Sequence, residues 1–267
     1  MGIVPIKLGR VTQLSPTQPL DSGPHNASGY CSSLPQPLEA LAELLAARLD
    51  AAFGFTGGRR AQVWLALARS LAQGEGGTPV RTDSVRCYDM GPGGVSPGEA
   101  DIIRSFPCTQ WDDQGRVVGS LITGIPTPHR LVHPGGAAWT WCIFDAMLAG
   151  LVLPGPVRVQ STCPASGREV GLDVRPLRAG RGFRRCSEGN RSAAGPWRIR
   201  ATEAANWVTV PAAFEPGMDL RADFCCRTRL WAQRPAAIGS ESAPVAWLAP
   251  DEAFAVTVEV ARRLRLV

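Results

Sequence analysis

The 267-residue sequence lacks several features that mark common functional classes. No run of about 20 apolar residues occurs, so we expect no membrane-spanning helix and no membrane partner. Only two tyrosines and no zinc-finger or RRM signature are present, so we expect no nucleic-acid partner. The N-terminal segment has no apolar stretch before a small-residue cleavage site, and we therefore expect a cytoplasmic protein.

Three familiar catalytic or metal motifs are also missing. No Gly-x-Ser-x-Gly elbow occurs, and the run Gly91–Gly94 is not followed by the Lys-Ser/Thr of a phosphate-binding loop. No two cysteines have the Cys-x-x-Cys spacing of zinc sites. His129 and His133 have a helical metal-site spacing, but the residues between them favour a strand and Pro134 follows. We expect no triad hydrolase, nucleotide-binding loop or structural zinc.

The charge balance is mildly basic, with a formal net charge of +5. The local arginine cluster Arg178–Arg185 is most simply a solvated loop, and a phosphate-binding role is the alternative. Eight cysteines are present. In a cytoplasmic protein they should stay reduced, so each is buried, catalytic or metal-binding rather than part of a disulfide.

The hydrophobic pattern predicts an α+β protein with three parts. Residues 1–35 are rich in Pro, Ser, Gly and Gln and predict a flexible tail. Residues 36–110 predict a helical, winged-helix-like module, with helices at Gln36–Phe53 and Arg60–Gln73. Residues 111–267 predict a mixed, mostly antiparallel sheet with flanking helices.

A thiol and a carboxyl lie close together in the middle of the chain. The run Ala138–Leu151 is mostly apolar, lacks proline and predicts a helix buried nearly all round. Cys142 and Asp145 are three residues apart, which places them on one face of such a helix. A buried carboxyl is unfavourable unless it is paired or protonated, whereas a buried cysteine alone is ordinary packing.

The other cysteines differ in their predicted surroundings. Cys163 lies at the tip of a predicted hairpin. Cys225 and Cys226 begin a predicted strand, Phe224–Trp231, in which neighbouring side chains point to opposite sides, so one of the two should only pack. The remaining four have no motif context and are interpreted as incidental: Cys31, Cys87, Cys108 and Cys186.

Five short segments together resemble the organomercurial (alkylmercury) lyase family. In chain order they are Asp113-Gln-Gly-Arg-Val-Val-Gly119, Trp141-Cys-Ile-Phe-Asp145, Ser161-Thr-Cys-Pro-Ala-Ser-Gly167, Phe224-Cys-Cys226 and Asp251-Glu-Ala-Phe254. Their order and spacing fit across about Trp111–Leu264. Two departures are the segment Arg227–Trp231, where a more aromatic and histidine-bearing strand is expected, and an enlarged basic loop, Gly180–Ala194.

The resemblance implies protonolysis of a carbon–mercury bond to a hydrocarbon and Hg(II). By motif, the reaction falls on Cys142, Asp145 and Cys225, which also hold the Hg(II) product. It implies no resident cofactor, an organomercurial that arrives as a thiol adduct, external thiols that remove Hg(II), and handover to a mercuric reductase or cellular thiols. Cys142 is expected to attack first. Cys163 is expected to be structural and Cys226 dispensable.

Other interpretations remain open from the residues. The two thiols suit a binding or delivery protein for Hg(II) or Cu(I) without lyase activity, although storage does not need an acid beside the sulfurs. A thiol-dependent enzyme with another substrate and a transcription regulator are further alternatives. Trp139, Trp141 and Phe144 either line an apolar pocket or pack the core.

Overall fold

Two sheets and five helices make up the part of the chain that the computed structural model describes. The described residues are 34–85, 97–176, 197–203, 206–214, 219–234 and 245–267. The helices are α1 (Gln36–Phe53), α2 (Arg59–Leu71), α3 (Pro97–Ser105), α4 (Ile143–Val152) and α5 (Pro250–Arg263). This architecture confirms the predicted α+β class.

Twelve strands lie in the described residues, most of them antiparallel to their neighbours. They are β1 (Gly74–Glu75), β2 (Gln110–Trp111), β3 (Val117–Gly119), β4 (Ile122–Thr123), β5 (His129–His133), β6 (Gly136–Thr140), β7 (Val157–Thr162), β8 (Glu169–Pro176), β9 (Trp197–Ala201), β10 (Trp207–Pro211), β11 (Leu230–Trp231) and β12 (Val245–Leu248).

The larger sheet has the order β2-β3-β4-β6-β5-β7-β8-β9, and β1 adds to β6 in parallel. Alternation of buried and exposed residues along β5 and β7 shows that one face is covered. Helix α4 contacts β5, β6, β7 and β8. Its residues are all buried except Asp145, which keeps partial exposure. A nearly all-apolar helix is therefore fixed on the sheet with one carboxyl at its first turn.

The smaller sheet has the order β11-β10-β12 and lies close to the chain segment that carries Cys225. Between β10 and β11 the described chain forms a π-helical turn, Leu220–Phe224, and then a 3-10 turn, Cys225–Arg227. The C-terminal helix α5 contacts β10 and β12 of the smaller sheet and also α1 and α4. These contacts connect the Cys225 segment to the same core as α4.

The N-terminal helices follow the predicted pattern closely. Helix α1 has the predicted bounds and buries Leu41, Leu45 and Leu49 on one face. It ends at Gly54, which adopts a left-handed conformation (φ 68°) that glycine accommodates readily. None of the described helices is long and apolar enough to cross a bilayer.

The predicted domain division stays a prediction. Helix α2 packs against α4, β3 and β4, and buried residues from both sides of residue 110 belong to one core. The winged-helix character of residues 36–110 stays a prediction as well. The tail up to residue 33 and the loop Gly180–Ala194 lie outside the described residues, as does the cluster Arg178–Arg185.

Two sequence-based predictions of secondary structure are wrong. Ala138–Thr140 belong to β6, where they pair with β5, so the predicted helix over Ala138–Leu151 begins only at Ile143. The predicted strand Phe224–Trp231 is helical up to Arg227 and extended only at Leu230–Trp231. Apolar runs without a clear period do not separate strand from helix, and tertiary pairing decides.

Helix α4 crosses the sheet at Gly150, and this close approach yields a stability prediction. A Cβ atom added there would lie 2.7 Å from Cβ and Cγ1 of Val174 on β8. Because Val174 is β-branched and stiff, Gly150→Ala should lower the free energy of unfolding by about 1–3 kcal/mol. Urea denaturation of the reduced protein measures this change.

Gly98→Ala in α3 is the matched control, because nothing lies within 4 Å of a Cβ at that position. There alanine should be neutral or slightly stabilising, since it has the better helix propensity. Equal stability of the Gly150→Ala variant and the unsubstituted protein would contradict the close α4–β8 packing.

Candidate functional site

The fold brings Cys142, Asp145 and Cys225 together from two distant segments. One ligand atom of each, two sulfurs and a carboxylate oxygen, lies within 4.8 Å of the others. Cys142 is buried, whereas Asp145 and Cys225 keep partial exposure. The three residues singled out from the sequence therefore form one group, and two of its members keep partial exposure.

Cys142 occupies the N-cap of α4 rather than its interior. Its backbone is extended (φ −148°, ψ 172°), and its sulfur accepts a hydrogen bond from the Asp145 backbone N–H at 3.4 Å. Thr140 fixes the preceding turn, since its hydroxyl donates to the Cys142 carbonyl at 3.1 Å. A helix N-terminus favours a negative charge, so this position stabilises a thiolate once one forms.

Cys225 is positioned by the π-helical turn that precedes it. Asp219 caps this turn, because its Oδ1 accepts hydrogen bonds from the backbone N–H groups of Arg221 at 2.6 Å and Ala222 at 2.9 Å. The Cys225 thiol donates a long hydrogen bond to Asp145 Oδ2, with 3.9 Å between sulfur and oxygen. Asp145 is therefore bonded to both cysteines, through its backbone to one and its carboxylate to the other.

Thr228 and two phenylalanines hold the Cys142 segment and the Cys225 segment together. The buried Thr228 hydroxyl donates to the Phe224 carbonyl at 2.7 Å, and the Thr228 carbonyl accepts from the Ile143 N–H at 3.4 Å. The rings of Phe144 and Phe224 meet edge to face with centroids 5.2 Å apart. Phe224 directly precedes Cys225, and Phe144 lies two residues after Cys142. The contact between the two rings therefore fixes the spacing between the sulfurs.

Burial changes the acidity of Asp145. It raises the pKa of the carboxyl from its ordinary value of 3.8 to about 7, and the hydrogen bonds from Cys142 and Cys225 oppose this rise. Near neutral pH the group is therefore present in both protonation states. A carboxyl with this pKa accepts a proton and returns it with little free-energy cost.

The surroundings of the two thiols hold both in their neutral form. Burial raises the pKa of Cys142 well above its ordinary value, and Cys225 and the charge of Asp145 add to this rise. For Cys225 the hydrogen bond from Cys142 lowers the pKa, but burial and the nearby Asp145 charge outweigh it and the net shift is upward. A ligand that needs thiolates must therefore bring about proton transfer, and Asp145 is the adjacent acceptor.

A second layer of side chains surrounds the group. The Arg221 guanidinium lies over the Trp141 ring, 4.7 Å from its centroid. It donates to the Gln110 side-chain oxygen, at 3.1 and 3.0 Å, when the Gln110 amide is turned so that its oxygen faces the guanidinium. Gly119 leaves room beside this ring, because a Cβ there would lie 2.8 Å from Thr123 Oγ1 and 3.1 Å from the Trp141 ring. Phe144 is 1% exposed and packs the core. Trp139 is half-buried on β6.

The remaining cysteines separate into three groups. Cys163 is 2% exposed at the turn between β7 and β8 and does not join the three-residue group. Cys226 is exposed, and Cys108 is half-buried. Cys31, Cys87 and Cys186 lie outside the described residues. The structural role of Cys163 and the dispensability of Cys226 stay predictions.

Sequence reasoning misses the residues that support the site. Asp219 carries a usable signal, because an aspartate just before an apolar residue is typical of a helix N-cap. Thr228, Gln110 and Arg221 carry none, since their contacts join segments far apart in the chain.

Comparison with known proteins identifies a related family. The family model "MerB: Alkylmercury lyase" matches residues 122–180, a segment that includes Cys142 and Asp145 but not Cys225. The alkylmercury lyase of Streptomyces lividans is 34% identical over 142 residues, and that of Bacillus cereus is 32% identical over 133 residues. The resemblance to the organomercurial lyase family is thereby confirmed.

The extent of these matches is limited. They cover 52% and 48% of this chain, and they span 63% and 57% of the two relatives' own lengths. Among solved structures, the mercury-bound form of MerB2 matches 86% of this chain and 100% of its own, with a TM-score of 0.50 and 15% sequence identity. That similarity supports the fold.

The shifted pKa of Asp145 yields a prediction about stability. The pKa is higher in the folded chain than the ordinary 3.8, so the folded state holds the proton more tightly. This contribution to stability is complete at low pH and is lost as pH rises from about 4 to about 7. Asp145→Asn, which stays neutral, should therefore gain stability relative to wild type across this window, by roughly 1.4 kcal/mol per unit of pKa difference.

Urea denaturation at several pH values measures the difference between the two proteins. Asp113→Asn, which changes an exposed carboxyl, serves as the control and should show a much smaller trend. A pH-independent difference between Asp145→Asn and wild type would show that the carboxyl is not held neutral by its surroundings.

Proposed function

We propose that this protein is an organomercurial lyase that splits carbon–mercury bonds by protonolysis. One observation carries the proposal: two thiols and a carboxyl with a pKa of about 7 converge within 4.8 Å. Thiolate sulfur is the preferred ligand of soft metals such as mercury. The carboxyl supplies the acid that a simple metal-holding site does not need.

The first step is exchange of mercury onto the protein. The sequence favours Cys142 as the first attacking group, but the geometry favours Cys225, which keeps partial exposure and donates its proton toward Asp145 Oδ2. Cys225 sulfur bonds to mercury, the bond to the solution thiol breaks, and the Cys225 proton leaves with that thiol. Mercury is then joined to the carbon group and to one protein sulfur.

The second step loads the acid. Cys142 sulfur adds to mercury and passes its proton to the Asp145 carboxylate, and the α4 N-terminus stabilises the developing negative charge on sulfur. Two sulfur donors increase the electron density on the mercury-bound carbon. Asp145 then delivers the proton to that carbon, the carbon–mercury bond breaks, and the hydrocarbon leaves. Hg(II) stays on Cys142 and Cys225, and Asp145 is again a carboxylate.

The proposed chemistry also indicates how mercury reaches the protein and how it leaves. Organomercurials in a thiol-rich cytoplasm exist as thiol adducts, and an adduct is the form that exchange onto Cys225 requires. External thiols then remove Hg(II), which passes to a mercuric reductase or to cellular thiols. No step calls for a resident cofactor. The alternative, a soft-metal binding or delivery protein, uses the same sulfurs but leaves Asp145 without a task.

Asp145→Asn tests the acid directly. The variant keeps both sulfurs and a side chain of the same size, so mercury should still bind. Loss of general acid catalysis should lower hydrocarbon release about 10²–10⁴-fold. Gas chromatography measures the arene or alkane released from an aryl- or alkylmercury compound in excess thiol.

Cys226→Ser is the control, because Cys226 is exposed and adjoins Cys225 without joining the group. It should retain turnover close to wild type. Full hydrocarbon release by Asp145→Asn would remove Asp145 as proton donor. Tight Hg(II) retention by the wild type without any hydrocarbon would favour the binding-protein alternative.

A further inference from the structure

The short helical turn that carries Cys225 leaves its last carbonyl groups without helical partners. Most of them are satisfied locally. The carbonyls of Phe224 and Cys225 accept from the Thr228 N–H at 3.1 and 3.3 Å, and the Cys226 carbonyl accepts from Arg229 Nε at 2.7 Å. Each of these donors lies within four residues of its acceptor. Such bonds shape the turn, but they do not attach it to the rest of the fold.

The carbonyl of Arg227 has a partner from a different part of the fold. Thr209 on β10, 18 residues earlier in the chain, donates its hydroxyl proton to this carbonyl at 2.7 Å. The Thr209 backbone N–H also donates to the Arg229 carbonyl at 3.0 Å. Strand β10 is the middle strand of the smaller sheet. Thr209 therefore attaches the end of the Cys225 turn to a strand that is paired on both sides.

The direction of the Thr209 hydroxyl follows from its two other partners. The backbone N–H of Arg229 and the Nε1–H of Trp231 both donate to this oxygen, at 3.2 and 3.1 Å. A hydroxyl has one proton and two lone pairs, so two incoming donors leave its proton for the Arg227 carbonyl. Because Thr209 is 2% exposed, water competes little for these bonds, and they hold the turn firmly.

The Cys225 segment has a second polar attachment, to α4. It is the hydrogen bond from the Ile143 N–H to the Thr228 carbonyl, at 3.4 Å, which is longer than usual for N–H···O. The bond from Thr209, at 2.7 Å, is the shorter of the two attachments. The position of the Cys225 sulfur relative to Cys142 therefore depends on Thr209 as well as on the ring contact between the two segments.

We propose that Thr209 is a positioning residue of the reaction, whose hydroxyl holds Cys225 where one mercury atom can bond to both sulfurs. The inference rests on the proposed function. Exchange of mercury onto Cys225 needs only one partly exposed sulfur and tolerates a small displacement. Closure by Cys142 and proton delivery by Asp145 need three groups around one mercury–carbon bond and do not tolerate it. Loss of the hydroxyl should therefore slow hydrocarbon release more than mercury capture.

Thr209→Val tests this, because valine has the shape of threonine without the hydroxyl. Excess protein is mixed once with phenylmercury bound to a coloured aryl thiol. Stopped-flow absorbance follows the thiol that mercury capture displaces, and gas chromatography of quenched samples follows benzene. Capture should stay close to the wild-type rate. Benzene release should be about tenfold slower, which is less than the 10²-fold that a misplacement of about 1 Å produces.

Two further variants separate positioning from a general loss of stability. Thr209→Ser keeps the hydroxyl and should restore benzene release. Thr257→Val is the matched control, because Thr257 is also buried and its hydroxyl donates to a carbonyl of its own helix, that of Ala253, at 2.8 Å. It should leave both rates unchanged. A smaller folded fraction lowers capture and release by the same factor, so equal slowing of both by Thr209→Val would overturn the inference, as would failure of serine to restore release.

Trp231→Phe decides the matter if Thr209→Val does not fold. It removes one donor to the hydroxyl and leaves Thr209 in place. The hydroxyl can then rotate away from the Arg227 carbonyl, so benzene release should slow by a smaller factor than in Thr209→Val while capture is unchanged. Benzene release at the wild-type rate in a folded Trp231→Phe variant would contradict the positioning role.

Inorganic Hg(II) provides a readout that does not require lyase activity. Reduced, full-length proteins are loaded with one equivalent, and its removal by excess glutathione is followed by stopped flow. A displaced Cys225 lowers the effective concentration of the second sulfur, so Thr209→Val should lose Hg(II) about tenfold faster than wild type and Thr209→Ser should not. If this is seen but wild type releases no benzene, the positioning of Cys225 stands and the lyase function fails. If wild type releases benzene and Thr209→Val matches it in every rate, the lyase function stands and the positioning role fails.

Discussion

The site depends on one unfavourable arrangement, a carboxyl held among protein atoms between two thiols. Burial raises the pKa of Asp145 to about 7 and also holds both thiols neutral. The thiols therefore keep their protons, while Asp145 is present both with and without a proton near neutral pH. In the proposed reaction the carboxylate form of Asp145 is the nearest acceptor for a proton displaced from sulfur, so metal binding and formation of the acid are coupled within one group of atoms.

The rest of the fold maintains this arrangement. The larger sheet supports α4, whose first turn presents Cys142 and Asp145, and the smaller sheet with its π-helical turn presents Cys225. The Phe144–Phe224 contact and the Thr228 hydrogen bonds join the two parts. Stiff, well-packed neighbours are what allow an unfavourable electrostatic arrangement to persist, since a looser core would admit water and return Asp145 toward its ordinary pKa.

Much of the fold can be predicted because its signals are local. The leucine spacing of α1 and the turn residues of the β7–β8 hairpin predict those elements correctly. Predictions fail at Ala138–Thr140 because these residues pair with β4 and β5, which the apolar pattern does not reveal. They fail at Phe224–Arg227 because these residues continue the turn that Asp219 caps. The chemistry of the candidate site is visible from the sequence in Cys142, Asp145 and Cys225. Its supporting contacts through Thr228, Arg221 and Gln110 are not, because each joins residues remote in sequence.

Asp145 should titrate near neutral pH beside two protonated thiols. Carbon-13 NMR of protein labelled at aspartate carboxyl carbons measures this directly, with the Asp145→Asn spectrum assigning the signal. In the empty, reduced protein the Asp145 signal should titrate with a midpoint of about 7, and loading Hg(II) should change it. A midpoint near the ordinary value of 3.8, unchanged by Hg(II), would contradict the account.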